Sequence, residues 1–352
     1  MKNILYIHKN HLQFNVDSIR AAAGGAPIIA VVKGDGYGHG LVEISSLLLG
    51  MGVNAFCVGD AAEGARLRQL GRDIVIYVLD TPRADNAADL AAHDLIPTVY
   101  QPRHILAAKQ AGIKNVQVEI DTGIGRSGCG VDEFAALAAA VTGGGLCLYG
   151  VYTHFYNNSD AADCELQISR LKAALAGHKI ENIHVSNSGG LIHGQKYVFN
   201  GVRAGIALYG TIDLSAHGVG LKQVMTLESE IDAVITRAKG QRIGYYSKSV
   251  FERDTRLGVI HCGYMMGLNP FVYSKALVRG RAADLVGGVN MLNTCVDITD
   301  FDDVRPGEKV VLISDDKNSG LTVVDLAKKL NTVTGFITCA ISRHGVTRVI
   351  VE

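Results

Sequence analysis

The sequence predicts an α/β protein: an N-terminal (β/α)8 barrel over residues 1–215, then a mostly β C-terminal domain over residues 221–352. Three observations carry the prediction. Short apolar, β-branched runs alternate with alanine- and leucine-rich amphipathic stretches through residues 1–215. The ends of those runs carry the polar residues Lys33, Asp121, His154, Asn187 and Arg203, and the C-terminal strand ends are where a barrel keeps its chemistry. Beyond residue 220 the helical pattern gives way to strands and turns.

The eight barrel strands are read from IIAVVK, AFCVG, IVIYVL, LIPTVY, VQVEID, LYGVYTHF, NIHVSN and FNGVRAGIALYG. Helical spacing between them appears in GLVEISSLLLG, AAEGARLRQLG, VDEFAALAAAV and CELQISRLKAALAG. Eight such units could also form an open parallel sheet, so the count alone does not choose the barrel. SAHGVG at 215–220 reads as the linker. The C-terminal strands are read from VMTLESEIDAVITRA, RLGVIHCGY, KALVRGRAADLVGGV, VDITD and KVVLIS, interrupted by one helix, LTVVDLAKKLN.

Composition fits this division. A chain of 352 residues suits two domains, and 48% apolar with 19% charged residues supports a large core. Lys plus Arg and Asp plus Glu are both 34, which gives none of the basic surplus that nucleic acid or an acidic membrane surface needs. The seven cysteines are scattered without a CxxC, so buried free thiols are expected and no metal is expected. The opening MKNILYIHKNHLQFN lacks the apolar core of a signal peptide, and no run is long enough to span a membrane. A cytoplasmic location is the expectation.

The chemistry starts at AVVKGDGYGHG, residues 30–40. A buried strand ends in Lys33, where a charged ammonium is costly and the neutral, nucleophilic amine is favoured. Glycines at 34, 36, 38 and 40 let the chain turn sharply and let a ligand approach the backbone. Taken alone, the same pattern also fits a lysine reaching solvent at a barrel rim.

AVVKGDGYGHG resembles the pyridoxal-phosphate lysine motif of the alanine racemase family, A-V-V-K-A-N-A-Y-G-H-G. The resemblance continues in order along nearly the whole chain. EIDTGIGRSG (119–128), VYTHF (151–155), HVSNSGG (184–190), VRAGIALYG (202–210) and RLGVIHCGYMMG (256–267) are each similar to a family motif. It implies a racemase that interconverts L- and D-amino acids, alanine by default, with pyridoxal 5'-phosphate as cofactor.

What the resemblance implies for single residues follows from the matched positions. Lys33 carries the cofactor as a Schiff base and moves the proton on one face of the substrate. Tyr264 acts on the opposite face, reaching in from a second subunit, which implies a homodimer. A phenol with its ordinary pKa of about 10 is a weak base at neutral pH, so neighbours must tune it, and His154 and Arg203 match the tuning residues. Arg203 also faces the pyridine nitrogen, and His154 lies alongside the ring. Tyr37, Ser188 and the backbone amides of Gly205 and Ile206 take the phosphate, with Asn187 in the cofactor shell and Arg343 either there or against an acidic or polar substrate side chain. Arg126 receives the substrate carboxylate, beside Met291. Glu119 stands where the family often has a carbamylated lysine, and its negative charge could hold Arg126 by a paired hydrogen bond.

The departures from the family lie in the C-terminal domain. The family's C-M-D reads Asn290-Met291-Leu292, its preceding arginine is Gly288, its aspartate after the tyrosine is Met266, and its C-terminal tyrosine aligns with Arg343. A methyl-sized pocket selects by steric exclusion, so these changes predict racemisation of serine or a larger polar or acidic amino acid as the alternative to alanine. A pyridoxal-phosphate decarboxylase would need a Cys–acid pair in the second domain, and none is evident. A cofactor-binding protein without enzyme activity is the third class.

Overall fold

The computed structural model describes residues 3–245, 249–341 and 344–352. The chain opens with a strand, β1 (Asn3–His8), and then builds the barrel from β2 (Ile28–Val31), β3 (Ala55–Val58), β4 (Val75–Val78), β5 (Ile96–Val99), β6 (Asn115–Glu119), β7 (Cys147–Tyr152), β8 (Ile183–His184) and β9 (Val202–Ala204). β2 to β8 pair in parallel in sequence order, and β9 pairs in parallel with β2. A parallel bridge between Asn187 and Arg203 joins the two ends, so the eight strands close on themselves. All eight coincide with the runs read from the sequence.

The reason lies in the spacing of apolar side chains. The helix Leu41–Gly50 buries Leu41, Ile44 and Leu48, three or four residues apart, and Ala161–Ala174 buries Cys164, Ile168 and Leu171 the same way. A fully buried leucine or isoleucine contributes about 1.5–3 kcal/mol relative to leaving it in water. Asp160 starts the second of these helices by accepting hydrogen bonds from the amides of Ala162 and Asp163. Inside the barrel, Ile29, Val31, Cys57, Tyr77 and Ile96 form one buried cluster.

The C-terminal unit is an eight-stranded, mostly antiparallel sheet. Its strands are β10 (Met225–Arg237), β13 (Thr255–Ile260), β14 (Lys275–Val278), β15 (Arg281–Val286), β16 (Thr294–Asp297), β17 (Lys309–Ile313), β18 (Val346–Val351) and β1. A separate two-stranded ribbon pairs β11 (Arg242–Ile243) with β12 (Ser249–Val250). β10 pairs with β1 and β17 along its first half and with β13 along its second, past an irregularity at Ile231. That long bent strand turns the sheet back on itself.

Three features differ from the sequence reading. β1 lies in the C-terminal sheet, between β10 and β18, so residues 3–12 group with that unit and not with the barrel. The crossover near the linker is also interleaved: 209–212 group with the C-terminal unit and 213–221 with the barrel. Alternation in NILYIH gives a strand without saying which sheet receives it. The short helix Thr334–Cys339 was likewise not anticipated.

Gly210 illustrates how tightly the C-terminal unit is drawn together. Its φ is +63°, and a Cβ there would sit 1.8 Å from the Lys222 carbonyl oxygen. Both the backbone conformation and the clash with main chain oppose any side chain. Gly210→Ala is therefore expected to cost about 3 kcal/mol or more and to lower the thermal midpoint by roughly 10 °C. An unchanged midpoint in a calorimetric scan would show that the two segments separate freely.

Candidate active site

Lys33 lies two residues beyond the end of β2 and starts a tight turn. Gly34, Asp35 and Gly36 have φ of 64°, 55° and 65°, and Tyr37 follows at 51°, so four consecutive residues sit in the left-handed region. Asp35 and Tyr37 hold this conformation against the usual cost for a residue with a Cβ. What compensates is a side chain from the first turn of the helix after β3, Ala61–Arg68. Glu63 accepts from the Asp35 amide at 2.8 Å and from the Gly59 amide at 2.9 Å. Asp35 in turn accepts from the Leu41 amide at 3.1 Å and meets Arg66 at 3.4 Å. Lys33 itself is half-buried, and a Cβ on Gly59 would come within 3.6 Å of its own Cβ. Glu63 thus positions the lysine loop, a role the sequence reading missed. Its one trace in the sequence is Asp60, three residues earlier, which caps the following helix by accepting from the Glu63 amide.

Tyr37 is directed at Gly205. Its hydroxyl oxygen lies 3.0 Å from where a Gly205 Cβ would project, so glycine leaves the space between the phenol and the backbone open. Ser188, immediately before a 3-10 helix (Gly189–Tyr197), accepts from the amides of Gly205 at 3.0 Å and Ala207 at 3.2 Å. Its Oγ has accepted two N–H donors, so its own proton remains to give to an anion. The Gly205 amide, expected from the sequence to face a phosphate, is occupied by this hydroxyl. Ile206 is half-buried beside it. Two hydroxyls, a bare glycine backbone and a helix start make a donor set suited to a phosphate group.

Arg203, in β9, is only 5% exposed. It donates to the carbonyls of Thr153 at 2.6 Å, Val185 at 3.3 Å and His184, and to the Nδ1 atoms of His184 at 2.9 Å and His154 at 3.3 Å. Tyr152 lies under the guanidinium, 5.0 Å from carbon to ring centroid. On its other edge, His154 Nε2 is 3.3 Å from Asn187 Nδ2. Asn187 is fixed in this orientation because its Oδ1 accepts from the Gly190 amide at 3.0 Å. A neutral imidazole can accept from only one of Asn187 and Arg203, and both contacts are long.

The histidines here are held neutral. Burial first, then the positive charges of Arg203, Arg126 and Lys33, bring His154 down to about 3. Burial and Arg203 push His184 well below its ordinary value. His184 stacks on Tyr152 at 5.3 Å, and its Nε2 is buried without a partner. In the sequence this histidine stands at the head of HVSNSGG with nothing to mark a role for it. A pH prediction follows with a definite sign. Between pH 6.5, the ordinary histidine value, and about 3, the unfolded chain binds a proton that folded His154 refuses, so stability falls as pH drops through that window and is fully present at pH 7. The slope is up to about 1.4 kcal/mol per pH unit for each such histidine. The thermal midpoint should fall on acidification below pH 6.5, less steeply in His154→Gln. A flat midpoint down to pH 4.5 would contradict neutral burial.

Arg126 lies on the loop after β6 and is exposed. Glu119, the buried last residue of β6, meets it at 3.9 Å, an ion pair and not the paired hydrogen bond the sequence suggested. The close hydrogen bond to Glu119 comes from Ser127 Oγ at 2.7 Å. Asp121 shapes the loop by accepting from the amides of Gly123 and Gly125.

In the C-terminal unit, Tyr264 opens a 3-10 turn (Tyr264–Met266) and is 47% exposed. Its amide donates to the Asn290 carbonyl at 2.9 Å, and the Met265 amide to the Met291 carbonyl at 3.1 Å. A Cβ on Gly263 would lie 2.2 Å from the Asn290 oxygen, which is why a glycine precedes the tyrosine. The structure thus brings Tyr264 and Met291 together. Two of the departures have packing explanations. Met266 is 4% exposed and lies against Gly345, so it belongs to the core. Gly288 follows Gly287 with φ of 78° after 75°, a conformation an arginine would hold only under strain. Arg343 lies outside the described residues.

With this geometry in view, the comparisons are decisive. The family model for the alanine racemase N-terminal domain matches residues 7–213, and that for the alanine racemase C-terminal domain matches residues 224–350. This chain belongs to the alanine racemase family. The alanine racemase of Halothermothrix orenii is 32% identical over 353 residues, covering 95% of this chain and 93% of that protein. The solved alanine racemase of Clostridium difficile 630 superimposes with a TM-score of 0.93 at 28% identity, covering 100% of this chain and 96% of that one. An alanine racemase of Bartonella henselae, solved with covalently bound pyridoxal phosphate, shares the fold at 23% identity and a TM-score of 0.87, covering all of both chains. The family depends on pyridoxal phosphate, and the hydroxyls of Tyr37 and Ser188 beside the bare Gly205 backbone fit its phosphate.

Proposed function

We propose that this chain is a pyridoxal-phosphate-dependent alanine racemase in which Lys33 holds the cofactor through Nζ. The observation that carries the reading is the lysine loop itself: a left-handed turn, pinned by Glu63, that sets Lys33 and Tyr37 four residues apart beside the open backbone of Gly205. When bound, the pyridoxal ring withdraws electrons from the Cα–H bond of the amino acid and so acidifies it.

Every other part falls to the residues of the chain. Tyr37 and Ser188 donate to the phosphate. Arg203 cannot give up its proton, so it presents a donor to the ring nitrogen without protonating it. Its Nε–H makes none of the hydrogen bonds described above, and we assign that role to it. His154 flanks the guanidinium at 3.3 Å, and Asn187 bounds the far side of the imidazole. Arg126, which faces Glu119 at 3.9 Å, takes the carboxylate of the amino acid. Lys33 Nζ removes or returns the Cα proton on one face, and a phenol does the same on the other.

That phenol is Tyr264, contributed by a second copy of the chain in a homodimer. Tyr264, Met265, Met291 and Leu292 are all exposed apolar residues of the C-terminal unit. Apolar side chains gathered in this way favour a protein partner. Alanine is the substrate that the relatives favour, and a preference for serine or an acidic amino acid is not supported. Relative kcat/KM values for alanine, serine, aspartate, glutamate and lysine test the choice. Alanine should lead by at least ~10-fold. A higher value for any other amino acid, or release of carbon dioxide, would overturn the reading.

A further inference from the structure

The fold brings three ligand-bearing side chains together at a place that the racemase chemistry does not use. His8 ends β1, His11 stands in the first turn of the helix Lys9–Ala22, and Asp315 lies two residues beyond the end of β17. All three are half-buried, and one ligand atom from each lies within 4.8 Å of the others. We propose that His8, His11 and Asp315 form a binding site for a divalent transition-metal cation of the zinc type. Two imidazoles and one carboxylate are a donor set that such ions prefer over magnesium or calcium, and three protein ligands leave the fourth position to water.

The surroundings are built around these side chains. The carbonyl of Gln223 holds His11 Nδ1 at 2.8 Å, and the hydroxyl of Thr226 holds His8 Nε2 at 2.8 Å. The same hydroxyl reaches Asp315 Oδ1 at 3.5 Å, and His11 Nδ1 lies 3.8 Å from Asp315 Oδ2. A neutral imidazole that donates at one nitrogen keeps a lone pair on the other, so each ring retains a ligating atom while a hydrogen bond orients it. The Gln223 side chain, itself buried, fixes the loop that carries Asp315. It donates to the carbonyls of Met225 at 2.8 Å and Ser314 at 2.9 Å and accepts from the Val323 amide at 2.7 Å. An ion at its usual bond lengths of about 2.0–2.2 Å would draw together ligand atoms that now lie within 4.8 Å of one another. It would tie the opening strand and helix to the loop after β17, more than 300 residues away in sequence, and so stabilise the unit that contains them.

Zinc titration of the full-length, cofactor-loaded protein at pH 7.5, followed by calorimetry, tests the site. One zinc ion per chain should bind with a Kd of ~10 µM or tighter and raise the thermal midpoint, while magnesium should do neither. His11→Gln and Asp315→Asn should each weaken zinc binding at least ~10-fold, while leaving the zinc-free midpoint and the cofactor absorbance as they are. The absence of stoichiometric binding, or equal competition by magnesium, would overturn the proposal. Binding that survives both substitutions would also overturn it, placing the metal instead on thiols such as the exposed Cys147 and Cys339. None of these outcomes depends on racemase activity.

Discussion

Lys33→Ala should abolish racemisation, with kcat reduced by at least ~10⁴-fold, while the protein keeps its fold. The loss is large because one side chain has two tasks, holding the cofactor and moving the proton on one face of Cα. The fold should survive because Lys33 is half-buried and its turn is held by Glu63 and Asp35, not by its own amine. Two measurements separate this from simple unfolding. Wild type loaded with pyridoxal phosphate should absorb in the visible, and borohydride should fix the cofactor to the peptide spanning Lys33. The variant should show neither, with the thermal midpoint of cofactor-free wild type. A label fixed on another lysine would remove Lys33 from its role.

Tyr264→Phe should cost ~10²–10⁴-fold in turnover, and the cost should fall on one face of the substrate. In heavy water, the variant should still exchange the α-proton of one alanine enantiomer through Lys33 while exchange of the other is nearly lost. Because the ring is exposed in the C-terminal unit and its turn is fixed by backbone bonds to Asn290 and Met291, losing the hydroxyl should leave stability unchanged. Equal losses for both enantiomers would contradict opposite-face roles. Full activity in Tyr264→Phe would remove the phenol from the chemistry altogether.

Much of this architecture is legible in the sequence because the physics is local. The eight barrel strands are continuous apolar runs, as expected for strands covered on both faces, and the strand ends disclose Lys33, His154, Asn187 and Arg203. What escaped depends on contacts between distant segments. Glu63 looks like an ordinary helix-capping residue until its carboxylate is seen between two loop amides. His184 gains meaning only from Arg203, which lies 19 residues further on and folds back to it. β1 reads as a strand from alternation, but only pairing with β10 and β18 assigns it to the C-terminal sheet. Met266 and Gly288 looked like changes in a substrate pocket because the motif placed them there. Burial of the first and the backbone of the second explain them as packing and turn geometry.

The most direct test starts from each pure enantiomer of alanine in turn, with the cofactor-loaded protein, and follows composition by chiral chromatography. A catalyst cannot bias two enantiomers in an achiral medium, so both reactions should converge on a 1:1 mixture with alanine conserved. Neither should proceed in Lys33→Ala. Enantiomers that stay as supplied, or alanine that disappears into another product, would contradict the assignment.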